Sequence, residues 1–163
     1  MKLILDNPTS SIMELGGGKG KIFDRRFIPY QSLRGSTLSL NQVENKIIRP
    51  EFREPRIHFA VVCAAKSCPP LRSEAFVADR LGQQLNSQTR AFIRNTNFNR
   101  YDTATNTLSL SRIFEWYSGD FGRGDNALAT YVARYIGGDA SNAIKANPPR
   151  IEYLDYDWSL NGR

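Results

Sequence analysis

Ile57-His58-Phe59-Ala60-Val61-Val62-Cys63-Ala64-Ala65-Lys66-Ser67-Cys68-Pro69-Pro70-Leu71 is the stretch on which the fold turns, and it carries the only histidine and both cysteines of the 163 residues. Arg56 to Cys63 is almost continuously apolar, which predicts a strand buried on both faces. A short polar loop follows and stops at Pro69-Pro70. From Ser73 a long helix is expected, reaching about Asn95, because Val77, Leu81, Leu85 and Phe92 recur near helical spacing. Strand, reactive loop and helix thus succeed one another within forty residues.

Upstream, Leu3-Ile4-Leu5 reads as the end of a helix that Asn7-Pro8 stops. Gly16-Gly17-Gly18-Lys19-Gly20-Lys21 suggests a phosphate loop only at first sight. Leu15 stands where that motif needs glycine, and Ile22 where it needs Ser or Thr, so the segment reads as a flexible turn. Phe27, Ile28 and Tyr30 predict a short strand, and Leu33 to Leu38 a second. Ser39 opens a helix over Leu40 to Arg49, with Gln42 completing a capping box and Pro50 ending it. Leu40, Val43, Ile47 and Ile48 form its apolar stripe.

Downstream, Asn97 to Asn106 is polar and turn-rich, and Leu108 with Leu110 predicts a strand. Ser111 caps a helix over Arg112 to Tyr117, interrupted near Gly119. Asn126 to Ile136 is an amphipathic helix ended by Gly137-Gly138. Ser141 to Ala146 adds a helical turn, and Ile151 to Leu160 a final strand. No repeat, low-complexity segment or linker divides the chain. The expectation is one α+β domain over 1–163, a small mixed or antiparallel sheet packed against several helices.

Apolar residues at 40% and charged residues at 23% are ordinary for a globular chain that buries a core. No apolar run approaches the ~20 residues of a membrane span, and the first residues lack the apolar core and cleavage site of a signal peptide. The chain reads as soluble, and its compartment is open. The net charge of +6 is spread among scattered bases, with no basic run and no zinc-finger or RNP-type pattern, which argues against specific nucleic-acid binding. The expected partner is a small molecule or a peptide.

The chemistry concentrates on a thiol. A cysteine nucleophile needs a neighbouring base, and His58 is the only imidazole. Cys68, in the polar loop, is expected to be more accessible than Cys63, which ends the apolar strand as a small buried hydrophobe. Asp157 or Asp120 would orient the imidazole, as in Cys-His-Asp arrangements. On a straight strand His58 and Cys63 would lie roughly 16 Å apart and on opposite faces. Cys68 therefore meets His58 only if the loop folds back; otherwise His58 anchors the strand through hydrogen bonds. A Cys63–Cys68 disulfide stays open for an oxidising compartment. Cys-x4-Cys has no second ligand pair, so no metal is expected, nor any cofactor.

Trp116 and Tyr117, beside Asp120 and Phe121, would line a substrate pocket; the competing reading makes these aromatics core anchors. Tyr153, Tyr156 and Trp158 around Asp157 invite the same two readings. The functional expectation is a cysteine-dependent hydrolase or acyl-transfer-like enzyme. The alternative is a non-catalytic protein- or peptide-interaction module using its aromatic clusters.

Several segments resemble the family known as domain of unknown function 547. They are Leu38-Ser39-Leu40-Asn41-Gln42-Val43-Glu44 leading to Ile48-Arg49, Pro55-Arg56-Ile57-His58-Phe59-Ala60 and Ser67-Cys68-Pro69-Pro70-Leu71. Leu108-Ser109-Leu110-Ser111, Trp116-Tyr117 with Asp120-Phe121, and Tyr156-Asp157-Trp158-Ser159-Leu160-Asn161 continue the series. The resemblance implies no established activity. Members usually carry an Asn-Ala-Tyr-Asn segment before the helix that Leu3-Ile4-Leu5 ends, so the chain reads as an N-terminally truncated domain. Glu44 is followed by Asn45 where the family commonly has histidine.

Overall fold

The computed structural model describes residues 10–29 and 37–161; Leu3-Ile4-Leu5, Tyr30 and Leu33–Ser36, which the sequence reading used, lie outside them. The architecture is α+β. It divides into two compact units. The first holds the described residues up to Glu54 together with Cys63–Lys66 and residues 157–161; the second holds Pro55–Val62 and Ser67–Tyr156.

In the first unit, β1 (Ile28–Pro29) pairs antiparallel with β2 (Thr37–Leu38), Ile28 opposite Leu38. Ile12, Leu15, Ile22 and Leu160 form its core, with Phe23 and Trp158 packed on them. The glycine-rich stretch is a turn, and at Gly16 it requires glycine. Its φ of +69° is left-handed, and a Cβ there would stand 2.8 Å from the Ile22 backbone nitrogen. Helix α1, which opens with Leu40–Gln42, begins as expected. The Ser39 hydroxyl accepts from the Gln42 amide at 3.1 Å, and the Gln42 side chain accepts from the Ser39 amide at 3.0 Å.

Pro50 does not end α1. After Leu40–Gln42 the helix widens into a π turn, Val43–Ile48, and continues as Arg49–Phe52. A proline inside an α-helix clashes with the carbonyl four residues back and removes a donor. The wider turn, in which the Arg49 amide reaches back to the Glu44 carbonyl, accommodates both. The helix stops at Arg53, whose φ of +47° is left-handed.

The second unit is built on a mixed sheet in the order β3 (Arg100–Asp102), β4 (Thr107–Leu110), β5 (Arg150–Tyr153), with β3 antiparallel and β5 parallel to β4. Alternation along β4 sends Leu108 and Leu110 into the core, both fully buried. Phe59, Phe92, Ile93, Phe114 and Val132 surround them. The helices are α2 (Leu81–Ile93), α3 (Arg112–Trp116), α4 (Ser118–Phe121), α5 (Asp125–Ile136) and α6 (Gly138–Ala146). Ser111 caps α3 through a 3.3 Å bond from the Ile113 amide.

Four expectations change in this unit. Arg56–Cys63 is not a strand: Pro55–Phe59 is a 3-10 turn that opens on proline, and Val61 and Val62 are exposed. An apolar run has no period that separates strand from helix, and proline suits a first helical turn. The long helix starts at Leu81 rather than Ser73, because the backbone of the preceding loop is bonded to side chains of α2. Gln84 accepts from the Val77 amide at 2.9 Å and donates to the Ala75 carbonyl at 2.8 Å, while Gln88 donates to the Pro70 carbonyl at 2.6 Å. Polar Asn97–Asn106 holds a strand, β3, closed onto β4 by a turn in which Asp102 accepts from the Ala104 amide and the Thr105 hydroxyl. Finally, Gly137 ends α5 as expected but α6 begins at once, at Gly138 rather than Ser141, and the expected final strand covers only Arg150–Tyr153. Ser159 and Leu160 form isolated bridges with Ser11 and Ala65.

Candidate functional site

His58 sits near the end of the 3-10 turn with its side chain 1% exposed. That turn is fixed by its neighbour Phe59, wholly buried and ring-packed against Phe92 at 5.0 Å, Phe114 at 5.5 Å and Phe121 at 5.8 Å. Packing of Phe59 leaves the imidazole facing the junction of α3 and α4. There the helix breaks at Tyr117, whose backbone (φ −114°, ψ 25°) leaves the helical region, and a single turn, Ser118–Phe121, follows.

That break brings three side chains to His58. The Tyr117 ring stacks on the imidazole with centroids 3.9 Å apart and planes 21° from parallel, and Phe121 meets it at 5.6 Å. Asp120 Oδ2 lies 2.7 Å from His58 Nε2. An ionised carboxylate only accepts hydrogen bonds, so with Asp120 ionised this contact requires the imidazole hydrogen on Nε2. In the neutral ring the lone pair is then on Nδ1. Asp120, with 30% of its side chain exposed, keeps contact with water while its partner does not.

Of the two carboxylates proposed from sequence, Asp120 is the one bonded to His58. Asp157 belongs to the first unit, where it accepts from the Ser159 amide at 2.8 Å and the Ser159 hydroxyl at 2.5 Å. The hydroxyl bond, then the amide bond, holds its carboxyl below the usual carboxylate range.

The cysteines reverse the expected exposure. Cys68 is buried, 5% exposed, and Cys63 is half-buried; both are thiols. The loop around Cys68 is polar in sequence, yet Pro69 is buried with it and Gln88 ties down Pro70. Cys68 shares the second unit with His58 and Asp120, and Cys63 belongs to the first. The strand-based separation of His58 from the cysteines no longer applies, since neither strand spacing nor strand alternation describes a 3-10 turn.

Tyr117 reaches the imidazole, whereas its neighbour Trp116 is 46% exposed and meets Tyr156 at 4.8 Å. Trp116 is therefore not a core anchor, while Phe121 is one. Gln84 and Gln88, which hold the loop after Cys68, were not singled out from sequence. The available signal was two amides one helical turn apart on the face that also carries Leu85 and Phe92.

Among the described residues, no group of three His, Cys, Asp or Glu side chains is placed to hold a metal ion, and no helix is long and apolar enough to cross a membrane. Residues 20–93 match the family described as Protein of unknown function, DUF547. The matched stretch includes His58, Cys63 and Cys68; Tyr117 and Asp120 lie beyond it. No curated protein and no solved structure matches the chain.

Proposed function

We propose that the protein is a cysteine-dependent hydrolase or acyl transferase in which Cys68 is the nucleophile, His58 the base and Asp120 the orienting carboxylate. The observation that carries this reading is the 2.7 Å bond from buried His58 Nε2 to Asp120. With Asp120 ionised it selects one tautomer, and a base must present its lone pair in a defined direction. In the proposed cycle the Cys68 thiol proton passes to His58 Nδ1 as sulfur bonds to the substrate carbonyl carbon. The imidazolium, stabilised by Asp120, returns that proton to the departing amine or alcohol. Water, or a second nucleophile, then cleaves the thioester, with His58 again taking and returning the proton. Tyr117 holds the ring plane through its stack, and Trp116 with Tyr156 offers the substrate an aromatic surface.

The test is covalent labelling with a chloroacetamide probe, read by mass spectrometry at peptide level. Modification of Cys68 that falls about tenfold or more in both H58Q and D120N supports the triad. Labelling that is indifferent to both substitutions removes it.

A second reading, a protein- or peptide-interaction module, is favoured by exposed apolar side chains on the loop after Cys68: Leu71 at 78%, Phe76 at 36% and Val77 at 41%. It predicts that an apolar peptide selected for binding is retained by C68S and H58Q and lost in L71D. Both readings take residues 1–163 as one domain, for which thermal unfolding followed by circular dichroism and by tryptophan fluorescence should coincide.

A further inference from the structure

The face of the β3-β4-β5 sheet turned away from the core carries an ordered charge pattern. Register places Arg100, Ser109 and Glu152 side by side in one row, and Asp102, Thr107 and Arg150 in the next. Residues two apart along a strand share a face, so the six side chains project together. The four charged ones are exposed, and all six line a hollow of about 390 Å³, with Ser109 and Thr107 on its central strand. Cations occupy one diagonal, acids the other, and hydroxyls run down the middle. The face has zero net charge, in a chain of net charge +6.

A simple anion near either arginine meets an acid in the same row, and a simple cation meets the converse. The occupant that matches all four corners is one with the same alternating pattern, and the geometry points to a second copy of this chain packed face to face across a two-fold axis. Turning the face about an axis parallel to the strands sets Arg100 opposite Glu152 of the other copy and Asp102 opposite Arg150. Turning it about an axis across the strands sets Arg100 opposite Asp102 and Glu152 opposite Arg150. Both arrangements are isologous and place opposite charges together at every corner. Arg150 and Glu152 already touch within one chain at 2.9 Å. That exposed pair has little to lose on exchanging partners.

Six side chains are well short of the ~20–30 residues a side of a standard interface, so the dimer is weak, with a dissociation constant on the order of 10⁻⁴ M. The experiment is sedimentation equilibrium on the full chain at moderate salt, with concentration-dependent amide shifts at Thr107 and Ser109 as a site-specific readout. R100E lowers the net charge from +6 to +4, since one positive charge becomes one negative charge. General charge repulsion alone would then strengthen association; the proposal requires it to weaken about tenfold. E152R should weaken it similarly. The swap R100E/E152R restores association if the axis runs along the strands, and R150E/E152R restores it if the axis runs across them. All these side chains are solvent-exposed, and unchanged circular dichroism verifies each fold. A wild-type chain that stays monomeric to millimolar concentration would overturn the proposal. So would an R100E variant that associates as well as wild type, or two swaps that are both as weak as the single variants.

Discussion

Removing the Asp120 carboxylate tests the geometry around His58 before any substrate is known. A hydrogen bond to a charged group contributes about 1.5–3 kcal/mol, and a buried polar group left without its partner costs about 1–3 kcal/mol. The 2.7 Å separation and the 1% exposure of His58 place the contact in the upper part of these ranges, and the 30% exposure of Asp120 moves it down. Asp120→Ala should therefore destabilise the fold by about 1–2 kcal/mol. With a urea slope of about 1–3 kcal/mol per molar, the midpoint falls by roughly 0.5–1 M. A cycle with Asp120→Ala, His58→Gln and the double variant isolates the pair, and about 1 kcal/mol of coupling is expected. Because the chain has a single histidine, its imidazole nitrogens give unambiguous long-range ¹H–¹⁵N signals, which should report hydrogen on Nε2. A coupling below about 0.3 kcal/mol, within the additivity of independent sites, together with an Nδ1–H tautomer, would refute the reasoning.

Three further outcomes follow from the packing and the titrating groups. Phe59→Ala opens the centre of the aromatic cluster and should cost about 3–5 kcal/mol in chemical denaturation. Gln84→Ala removes both side-chain bonds to the loop at Ala75 and Val77, so amide exchange should quicken over residues 72–77 well before it does in α2. Asp157 has a folded-state pKa below its ordinary 3.8, from the Ser159 hydroxyl and then the Ser159 amide. Its contribution is present above 3.8 and is lost as pH falls through the lower folded value. Asp157→Asn should lower stability across the neutral range, where that contribution is fully present, and flatten the acid-unfolding curve below 3.8, where wild type loses it.

Local chemistry is what the sequence made legible. The Ser39–Gln42 capping box, the Ser111 cap and the alternation of Leu108 and Leu110 all depend on residues within a few positions of one another, and all stand as read. The end of α2 near Ile93 was legible for the same reason. The errors fall where a distant partner or a rarer geometry overrides a local rule. Pro50 should stop a helix, but a π turn carries the helix through it. The run after Arg56 has the composition of a buried strand, but Phe59 needs only one turn to reach Phe92, Phe114 and Phe121. Arg100-Tyr101-Asp102 reads as loop until β4 pairs with it.

The site divides in the same way. His58 was prominent because it is unique, and Asp120 was one of two carboxylates offered for it. The choice between them depends on a contact spanning 62 positions, which no local pattern encodes. Cysteine exposure was inferred from the polarity of the surrounding loop. Burial at Cys68 instead accompanies a proline and a backbone held at Pro70 by Gln88, eighteen residues further on.

The measurement that bears most directly on the catalytic reading is the rate of Cys68 alkylation by iodoacetamide as a function of pH, with Cys63 in the same chain as the internal reference. The account predicts that Cys68, although buried, reacts faster than half-buried Cys63 near neutral pH, and that this advantage disappears in H58Q and shrinks in D120N. Slow modification of Cys68 that tracks its burial, below Cys63 at every pH and unchanged by either substitution, would contradict it.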